Sequence, residues 1–135
     1  MNLQDKDSYN DAMFKTISDV IIWSEHYKEL AAWYQEKLGL EKIGEVNHPK
    51  DMCIGFKIGQ VELWIGYHDK VKGKNTEKYR IMHNFVVDSV SEAYQRLSKK
   101  GVTFIAKPFK APTFDKYFAT FEDLDGNLMQ LIGGK

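Results

Sequence analysis

The hydrophobic and polar residues of this chain follow one order twice. In each half, an alternating run typical of a β-strand precedes apolar residues at helical spacing, and three further short apolar runs follow. The two halves cover residues 16–67 and 80–133. The pattern therefore predicts two βαβββ modules, and residues 1–13 are predicted to be a flexible leader or at most a short helix.

The first module begins with a predicted strand over residues 16–23. Within this strand, Asp19 and Trp23 share one face, while the residues between them alternate in direction. Ser24 is the predicted N-cap of the helix, and Gly39 is its predicted C-terminal cap. Three strands are then predicted near residues 40–46, 52–58 and 60–67.

The second module repeats this order after a polar crossover at residues 68–78. A strand is predicted over residues 80–87, followed by a helix for which Asp88 and Ser89 offer an N-cap. Gly101 is predicted to end that helix. The remaining strands are predicted near residues 102–106, 116–122 and 127–133, and the stretch 107–115 is predicted to be a loop.

The closing strand pair carries a strong hairpin signal. Apolar runs flank Asp123-Leu-Asp-Gly-Asn127, where Asp-Gly and Gly-Asn supply the positive φ that a tight reversal needs. Gln130 follows on one face together with Leu128 and Ile132. A polar side chain at a position where burial is expected needs a hydrogen-bond partner or a ligand. Gln130 is therefore a candidate site residue.

The composition predicts one globular domain over residues 1–135, because 43% hydrophobic residues suffice for a core. Lys plus Arg and Asp plus Glu both number 19, so the formal net charge is zero and neither nucleic acid nor a membrane is an expected partner. The single cysteine, Cys53, cannot form an internal disulfide, and the N-terminus has no apolar signal core. These features predict a soluble cytoplasmic protein.

Three motifs between Thr16 and Ile132 resemble those of one large family. They are Trp33-Tyr34 … Leu38-Gly39-Leu40, Val87-Asp88-Ser89-Val90 and Phe121-Glu-Asp-Leu-Asp-Gly-Asn-Leu-Met-Gln-Leu131. The last is similar to F-x-D-P-D-G-N-x-x-E-L of the vicinal oxygen chelate superfamily, which includes glyoxalase I, extradiol dioxygenases and bleomycin-resistance proteins. The resemblance implies an α+β fold in which two βαβββ modules form a U-shaped, cleft-enclosing mixed sheet with helices on the outer face. It also implies a homodimer.

Metal-dependent members of that family carry one ligand on each of four strands, commonly His, Glu or His, His, and Glu. Carried over position by position, the resemblance places these ligands on Asp19, Glu62, Met82 and Gln130. Zinc, nickel and iron prefer imidazole and carboxylate ligands, whereas Met82 offers a thioether and Gln130 a weak amide donor. No metal or other cofactor is therefore expected. The alternative is Mg²⁺ or Mn²⁺ held by the oxygen atoms of Asp19, Glu62 and Gln130.

Aromatic residues favour a binding function for the cleft. Trp23 and Trp64 share the cleft-facing parity of Asp19 and Glu62, and aromatic walls with a few polar anchors suit a flat, small organic ligand. The first hypothesis is a protein that sequesters a small, partly aromatic molecule without catalysis. Its predicted ligand-binding residues are Asp19, Trp23, Trp64, Met82, Asn84 and Gln130.

Two enzyme hypotheses stay open. The resemblance implies, as an alternative, a divalent-metal-dependent lyase, isomerase or dioxygenase of the glyoxalase type. The other hypothesis is a metal-free isomerase or epimerase that uses Glu62 or Asp19 as a base, so Glu62 is the candidate catalytic residue. His83 follows Met82 but points to the opposite face, and it is predicted to pack on the helix layer as a structural residue.

Overall fold

The computed structural model describes residues 11–135, so most of the predicted leader lies outside the described residues. The order of elements is strand, helix and three strands, repeated once, as predicted. The strands are β1 (Asp19–Trp23), β2 (Glu41–His48), β3 (Asp51–Ile58), β4 (Val61–Gly66), β5 (His83–Ser89), β6 (Thr103–Lys110), β7 (Tyr117–Glu122) and β8 (Leu128–Gly134). The helices are α1 (Tyr27–Leu38) and α2 (Val90–Lys99).

Each module forms its own four-stranded mixed sheet. The strand orders are β1-β4-β3-β2 and β5-β8-β7-β6. In both sheets the strand before the helix pairs in parallel with the last strand of its module, and the other neighbours are antiparallel. The predicted α+β class with two βαβββ modules is confirmed, and the two sheets are separate and open.

One hydrophobic core extends through both modules. Helix α1 buries Leu30 and Tyr34, and the helix-facing side chains Leu63 and Ile65 of β4 are buried with them. In the second module, Phe121 belongs to the same cluster. The alternation predicted for β1 and β4 is therefore correct: Ile22, Leu63 and Ile65 are buried, whereas Ile21 and Trp23 on the other face are exposed. Neither described helix has the length and apolar character needed to cross a membrane.

The helix ends follow the sequence signals with one exception. Ser24 is not the N-cap of α1, because the helix begins two residues later than expected, after His26. The buried Ser24 hydroxyl instead accepts a hydrogen bond from the backbone N–H of His26 at 3.0 Å. Ser89 does cap α2, since its side chain accepts from the backbone of Glu92 at 3.2 Å. Gly101 follows the last turn of α2 with φ 88°, in the left-handed region that favours glycine.

The stretch predicted as a loop between β6 and β7 is shorter than expected. Residues 107–110 belong to β6, so the loop contains only residues 111–116. Pro108 is tolerated within the strand because β6 is an edge strand and its pairing with β7 is irregular between Ala106 and Phe109. The sequence therefore suggested a loop at Pro108, whereas in the structure this residue lies in an irregular edge strand.

The crossover between the modules is held by hydrogen bonds at two places. The backbone N–H of Gly73 donates to the Glu25 carboxylate at 2.7 Å, next to the start of α1. Asn75 donates from its backbone to the Asp125 carbonyl at 2.8 Å and from its side chain to Asn127 at 3.0 Å. The crossover is therefore fixed both to the first module and to the closing hairpin.

A buried hydrogen bond joins α1 to the closing hairpin. The Tyr34 hydroxyl donates to Asp123 Oδ2 at 2.7 Å, and both side chains are buried. The same carboxylate accepts from the backbone N–H groups of Asp125 and Asn127 and from the Asn127 amide, each at 2.9 Å. Asp123 thus organises its own turn and holds the first module's helix against it.

Because the Tyr34 hydroxyl is buried in this contact, we expect its titration to destabilise the protein in alkali. Burial, and then the neighbouring Asp123 carboxylate, raise the pKa of Tyr34 well above its ordinary value of 10.0. Above that pH the unfolded chain releases the Tyr34 proton while the folded chain keeps it, so unfolding is favoured. The free energy of unfolding should fall by an extra amount of about 1.4 kcal/mol per pH unit, and Tyr34→Phe should remove this part of the slope.

Urea titrations between neutral pH and strong alkali measure that slope. The matched control is Tyr79→Phe, because Tyr79 is 69% exposed and meets water in both the folded and the unfolded state. Equal alkaline slopes for wild type and Tyr34→Phe would show that the buried hydroxyl does not retain its proton.

Candidate functional site

The open face of the first sheet carries four of the predicted site residues. In the parallel register of β1 and β4, Asp19 lies beside Glu62. Two positions further along, Ile21 lies beside Trp64. Trp23 lies at the end of the same row, beside Gly66. The register therefore places the two predicted carboxylates side by side and puts both predicted indoles on the same face of the sheet.

Trp64 lies across two glycines of the neighbouring strands. Gly55 pairs with Trp64 in the register of β3 and β4, and Gly44 pairs with Gly55 in the next strand. A Cβ atom on Gly55 would lie 2.6 Å from three atoms of the indole, and one on Gly44 would lie 3.4 Å from it. The indole can occupy this position only because Gly55 has no side chain.

Glu62 also fixes the orientation of the Trp64 indole. The Trp64 Nε1–H donates to Glu62 Oε1 at 2.9 Å. These two residues are two positions apart in β4, so their side chains leave the strand on one face. Trp64 is half-buried and Glu62 is exposed, so the outer face of the indole stays accessible. Glu62 therefore has a role that the sequence did not suggest, which is to orient Trp64.

Trp23 also packs against a glycine, and it lines a separate depression of the surface. A Cβ atom on Gly66 would lie 2.9 Å from the Trp23 ring, and Trp23 meets His68 edge to face with centroids 5.3 Å apart. Trp23, Met52, Tyr67 and His68 contribute to a depression of about 340 Å³. This site lies next to the β2–β3 turn.

A cavity lies between residues of the two modules. Its volume is about 560 Å³, and three predicted residues, Glu62, Met82 and Asn84, contribute to its wall. Most of the remaining wall is apolar. It includes Val20, Ile58, Leu63, Phe85 and Met129. The structure thus brings Glu62 of β4 together with residues 82–84 around the start of β5. The other predicted site residues, Asp19, Trp23, Trp64 and Gln130, are not part of this wall.

His83 lines this cavity too. Its predicted face is correct, since it pairs with Met129 and shares the helix-facing side of β5 with Phe85. The sequence predicted only that His83 packs on the helix layer. In the structure the start of β5 also borders the cavity, where the imidazole is half-buried. Burial lowers the pKa of His83 below its ordinary value of 6.5, so the ring is neutral at physiological pH.

Gln130 has found a partner on the second sheet. Its amide donates to the Thr120 hydroxyl at 3.2 Å, and the register places it between Thr120 and Asn84. The polar position that stood out in the sequence is therefore satisfied by a neighbouring strand. Asp19, on the first sheet, accepts a hydrogen bond from the Ser18 hydroxyl.

The residues at the family's metal positions do not fit a transition-metal ion. Among residues 11–135, no group of three or more His, Cys, Asp and Glu side chains could hold a metal. Glu62 Oε1 accepts from Trp64, and the Gln130 amide is oriented by Thr120. Met82 adds only a soft thioether. The two carboxylates Asp19 and Glu62 remain as neighbouring oxygen donors on one sheet.

Comparisons with known proteins agree with this fold. Residues 16–131 match the family model described as Glyoxalase/Bleomycin resistance protein/Dioxygenase superfamily. A glyoxalase family protein from Enterococcus faecalis is 25% identical, with TM-score 0.75 over 90% of this chain and 99% of that one. No curated protein matches the chain.

Two further solved structures are similar in fold alone. A glyoxalase/bleomycin resistance protein/dioxygenase from Nocardioides is 17% identical, with TM-score 0.75 over 97% of this chain and 91% of its own. Lactoylglutathione lyase from Agrobacterium tumefaciens is 16% identical, with TM-score 0.68 over 91% of this chain and 96% of its own. At these identities the shared backbone does not transfer an activity.

Proposed function

The chain belongs to the glyoxalase/bleomycin resistance protein/dioxygenase superfamily, and from this premise we propose that it is a small-molecule-binding protein. It sequesters a small, partly aromatic ligand in its cleft without a typical metal site. The proposed ligand-binding residues are Asp19, Trp23, Trp64, Met82, Asn84 and Gln130, with Glu62 as a further polar anchor. Of these, Glu62, Met82 and Asn84 line the cavity between the modules, whereas Asp19, Trp23 and Trp64 lie together on the open face of the first sheet. Binding needs only shape and a few such anchors, so it does not depend on the family's metal ligands.

The cavity between the modules is the observation that carries this proposal. Its volume of about 560 Å³ lies within the range of small-molecule sites, which is about 300–1,000 Å³. Its wall is mainly apolar, with Glu62, His83 and Asn84 as the polar side chains. That combination supports a ligand that is largely apolar and carries one or a few hydrogen-bonding groups.

Filling the cavity tests the proposal. Native mass spectrometry of the purified chain against a library of small aromatic compounds should detect binding, and the bound compound should be recovered unchanged. Met82→Trp should weaken that binding at least about tenfold, since it fills the cavity without removing a polar group. Ile81→Trp is the matched control, because Ile81 is adjacent in sequence and 68% exposed.

Two outcomes would contradict the proposed function. Recovery of a chemically altered compound would make the protein an enzyme. Equal affinity of wild type and Met82→Trp for every bound compound would place the ligand outside the cavity.

A second candidate function is a divalent-metal-dependent lyase, isomerase or dioxygenase of the glyoxalase type. The observation in its favour is that Asp19 and Glu62 are direct neighbours in the register of β1 and β4. Two carboxylates suit Mg²⁺ or Mn²⁺ better than zinc or iron. Metal content separates this candidate from the binding protein without any knowledge of the substrate.

The proposal includes a homodimer in the cytoplasm. Within the part of the chain that the structure describes, β5 is an edge strand that pairs only with β8, and its Val86 side chain is 85% exposed. An exposed edge with an apolar side chain favours association with another strand. Light scattering should give twice the chain mass for wild type and a larger monomer fraction for Val86→Lys. A monomeric wild type would contradict the dimer but not the ligand site.

A further inference from the structure

The Trp64 indole is held in place before any ligand arrives. Its inner face lies against Gly55, at a distance that leaves no room for a Cβ atom. Its Nε1–H is fixed by Glu62 at 2.9 Å. Steric contact and a hydrogen bond restrain the ring from different directions, so the ring has little rotamer freedom left to lose on binding.

The outer face of this ring is the side on which a ligand can lie. Trp64 is half-buried, although its inner face is covered by strand backbone. On the same face, Ile21 beside it is 48% exposed and Trp23 is 37% exposed. The sheet therefore presents a flat, partly solvated apolar surface, defined here as Ile21, Trp23 and Trp64. A planar ring is the ligand shape that such a surface contacts best.

The charges around this surface favour a ligand that donates hydrogen bonds. Asp19 and Glu62 are neighbours in the register of β1 and β4, and Lys57 of β3 lies beside Glu62 on its other side. Two carboxylates and one ammonium group leave a net negative charge at this edge of the surface. Only one oxygen of Glu62 is engaged by Trp64. Because Glu62 is exposed, its other oxygen can accept from an N–H group of a ligand.

From these contacts we infer that Trp64 is a preorganised stacking platform for a planar aromatic or heteroaromatic ring with an N–H or cationic substituent. Glu62 is the positioning residue that fixes the platform. This inference rests on the proposed function and narrows its ligand class. It also gives Glu62, which occupies a metal-ligand position of the family, the role of binding an indole instead of a metal.

The test separates the platform from the rest of the cleft. The probe is 2-aminobenzimidazole, a planar cation with N–H donors, and its comparison compound is cyclohexylguanidine, a cation without a planar ring. Calorimetry should show that wild type prefers the planar probe. Trp64→Leu should weaken binding of the planar probe about ten- to hundredfold, as expected for loss of one aromatic stack.

Gly55→Ala is the sharper variant, because it leaves both Trp64 and Glu62 in the chain. Its Cβ atom must displace the indole, so the affinity should fall nearly as far as in Trp64→Leu. Gly44→Ala is the graded control, since its Cβ atom would lie 3.4 Å from the ring and should cost less. In a Trp64→Leu background, Gly55→Ala should have no further effect on affinity. Circular dichroism before each titration confirms that each variant is folded.

Glu62 has a readout of its own. In the nuclear magnetic resonance spectrum, the Trp64 Nε1–H signal should move and exchange faster in Glu62→Ala. Glu62→Gln should largely restore the signal, because the amide oxygen still accepts a hydrogen bond. An unchanged signal in Glu62→Ala would overturn the positioning role.

The failure of the inference differs from the failure of the proposed function. If Trp64→Leu and Gly55→Ala bind the planar probe as wild type does, while Met82→Trp abolishes binding of library compounds, the platform is wrong and the binding function stands. If wild type binds neither the planar probe nor any library compound, both are wrong.

Discussion

Asp123→Ala is expected to lower the free energy of unfolding by about 3–5 kcal/mol, because it leaves several buried donors without an acceptor. Those donors are the Tyr34 hydroxyl, two backbone N–H groups of the turn and the Asn127 amide. Asp123 is only 5% exposed, so water cannot replace the lost oxygen atoms without opening the turn. The change affects both the closing hairpin and its attachment to α1.

Urea denaturation followed by circular dichroism measures this loss. Asp115→Ala is the matched control, because that carboxylate is 95% exposed and its removal should change the stability by no more than about 0.5 kcal/mol. Tyr34→Phe in the Asp123→Ala background should cost less than it does alone, since the two side chains share one hydrogen bond. A loss of under about 1 kcal/mol in Asp123→Ala would mean that the hairpin is held chiefly by its apolar strands.

Phe121→Ala is expected to have a comparable effect for a different reason. The Phe121 ring is fully buried and packs against Trp33 of α1, Phe85 of β5 and Phe104 of β6. Removal of a buried aromatic ring typically costs about 3–5 kcal/mol, through lost transfer free energy and the cavity left behind. Since the contacts come from both modules, the loss should appear as one cooperative transition at lower denaturant concentration.

Phe114→Ala provides the control for this substitution. Phe114 is 50% exposed in the loop between β6 and β7, so the same chemical change removes much less buried surface. A smaller loss for Phe121→Ala than for Phe114→Ala would contradict the placement of Phe121 in the shared core. Two separate transitions would show that the modules unfold independently.

Much of the fold could be predicted because its signals are local. The Asp-Gly turn, Gly39 and the Ser89 cap are properties of a few consecutive residues, and alternation assigned the faces of β1 and β4 correctly. Ser24 was misplaced because a serine hydroxyl satisfies a turn before a helix as readily as the helix itself. The end of β6 was missed because proline, which usually interrupts a strand, is tolerated at an irregular edge.

The site was less predictable because it depends on contacts between strands. Gly44 and Gly55 gain their meaning only from the register that brings them under Trp64, and that register is not encoded in either glycine. The Glu62–Trp64 hydrogen bond had a usable signal, namely two side chains two positions apart on one strand. His83 was assigned to the correct face, but its cavity arises where the start of β5 meets residues of the first module.

Under the proposed function, these contacts explain how the family scaffold can be retained without the family's usual set of metal ligands. The closing hairpin keeps its turn and its link to α1, which are structural requirements. Gln130, at the last metal position, donates to Thr120, and Glu62, at the second, accepts from Trp64. Side chains at the metal positions thus serve neighbouring groups of the protein, and the cleft offers shape, an indole and a few polar anchors.

The metal content of the purified chain tests this account most directly. Elemental analysis of protein prepared without chelators, alongside Glu62→Ala, needs no ligand or substrate. The account predicts that neither protein carries a stoichiometric amount of a divalent metal, and that the two have the same trace content. About one metal ion per wild-type chain, lost in Glu62→Ala, would contradict it and favour the metal-dependent enzyme.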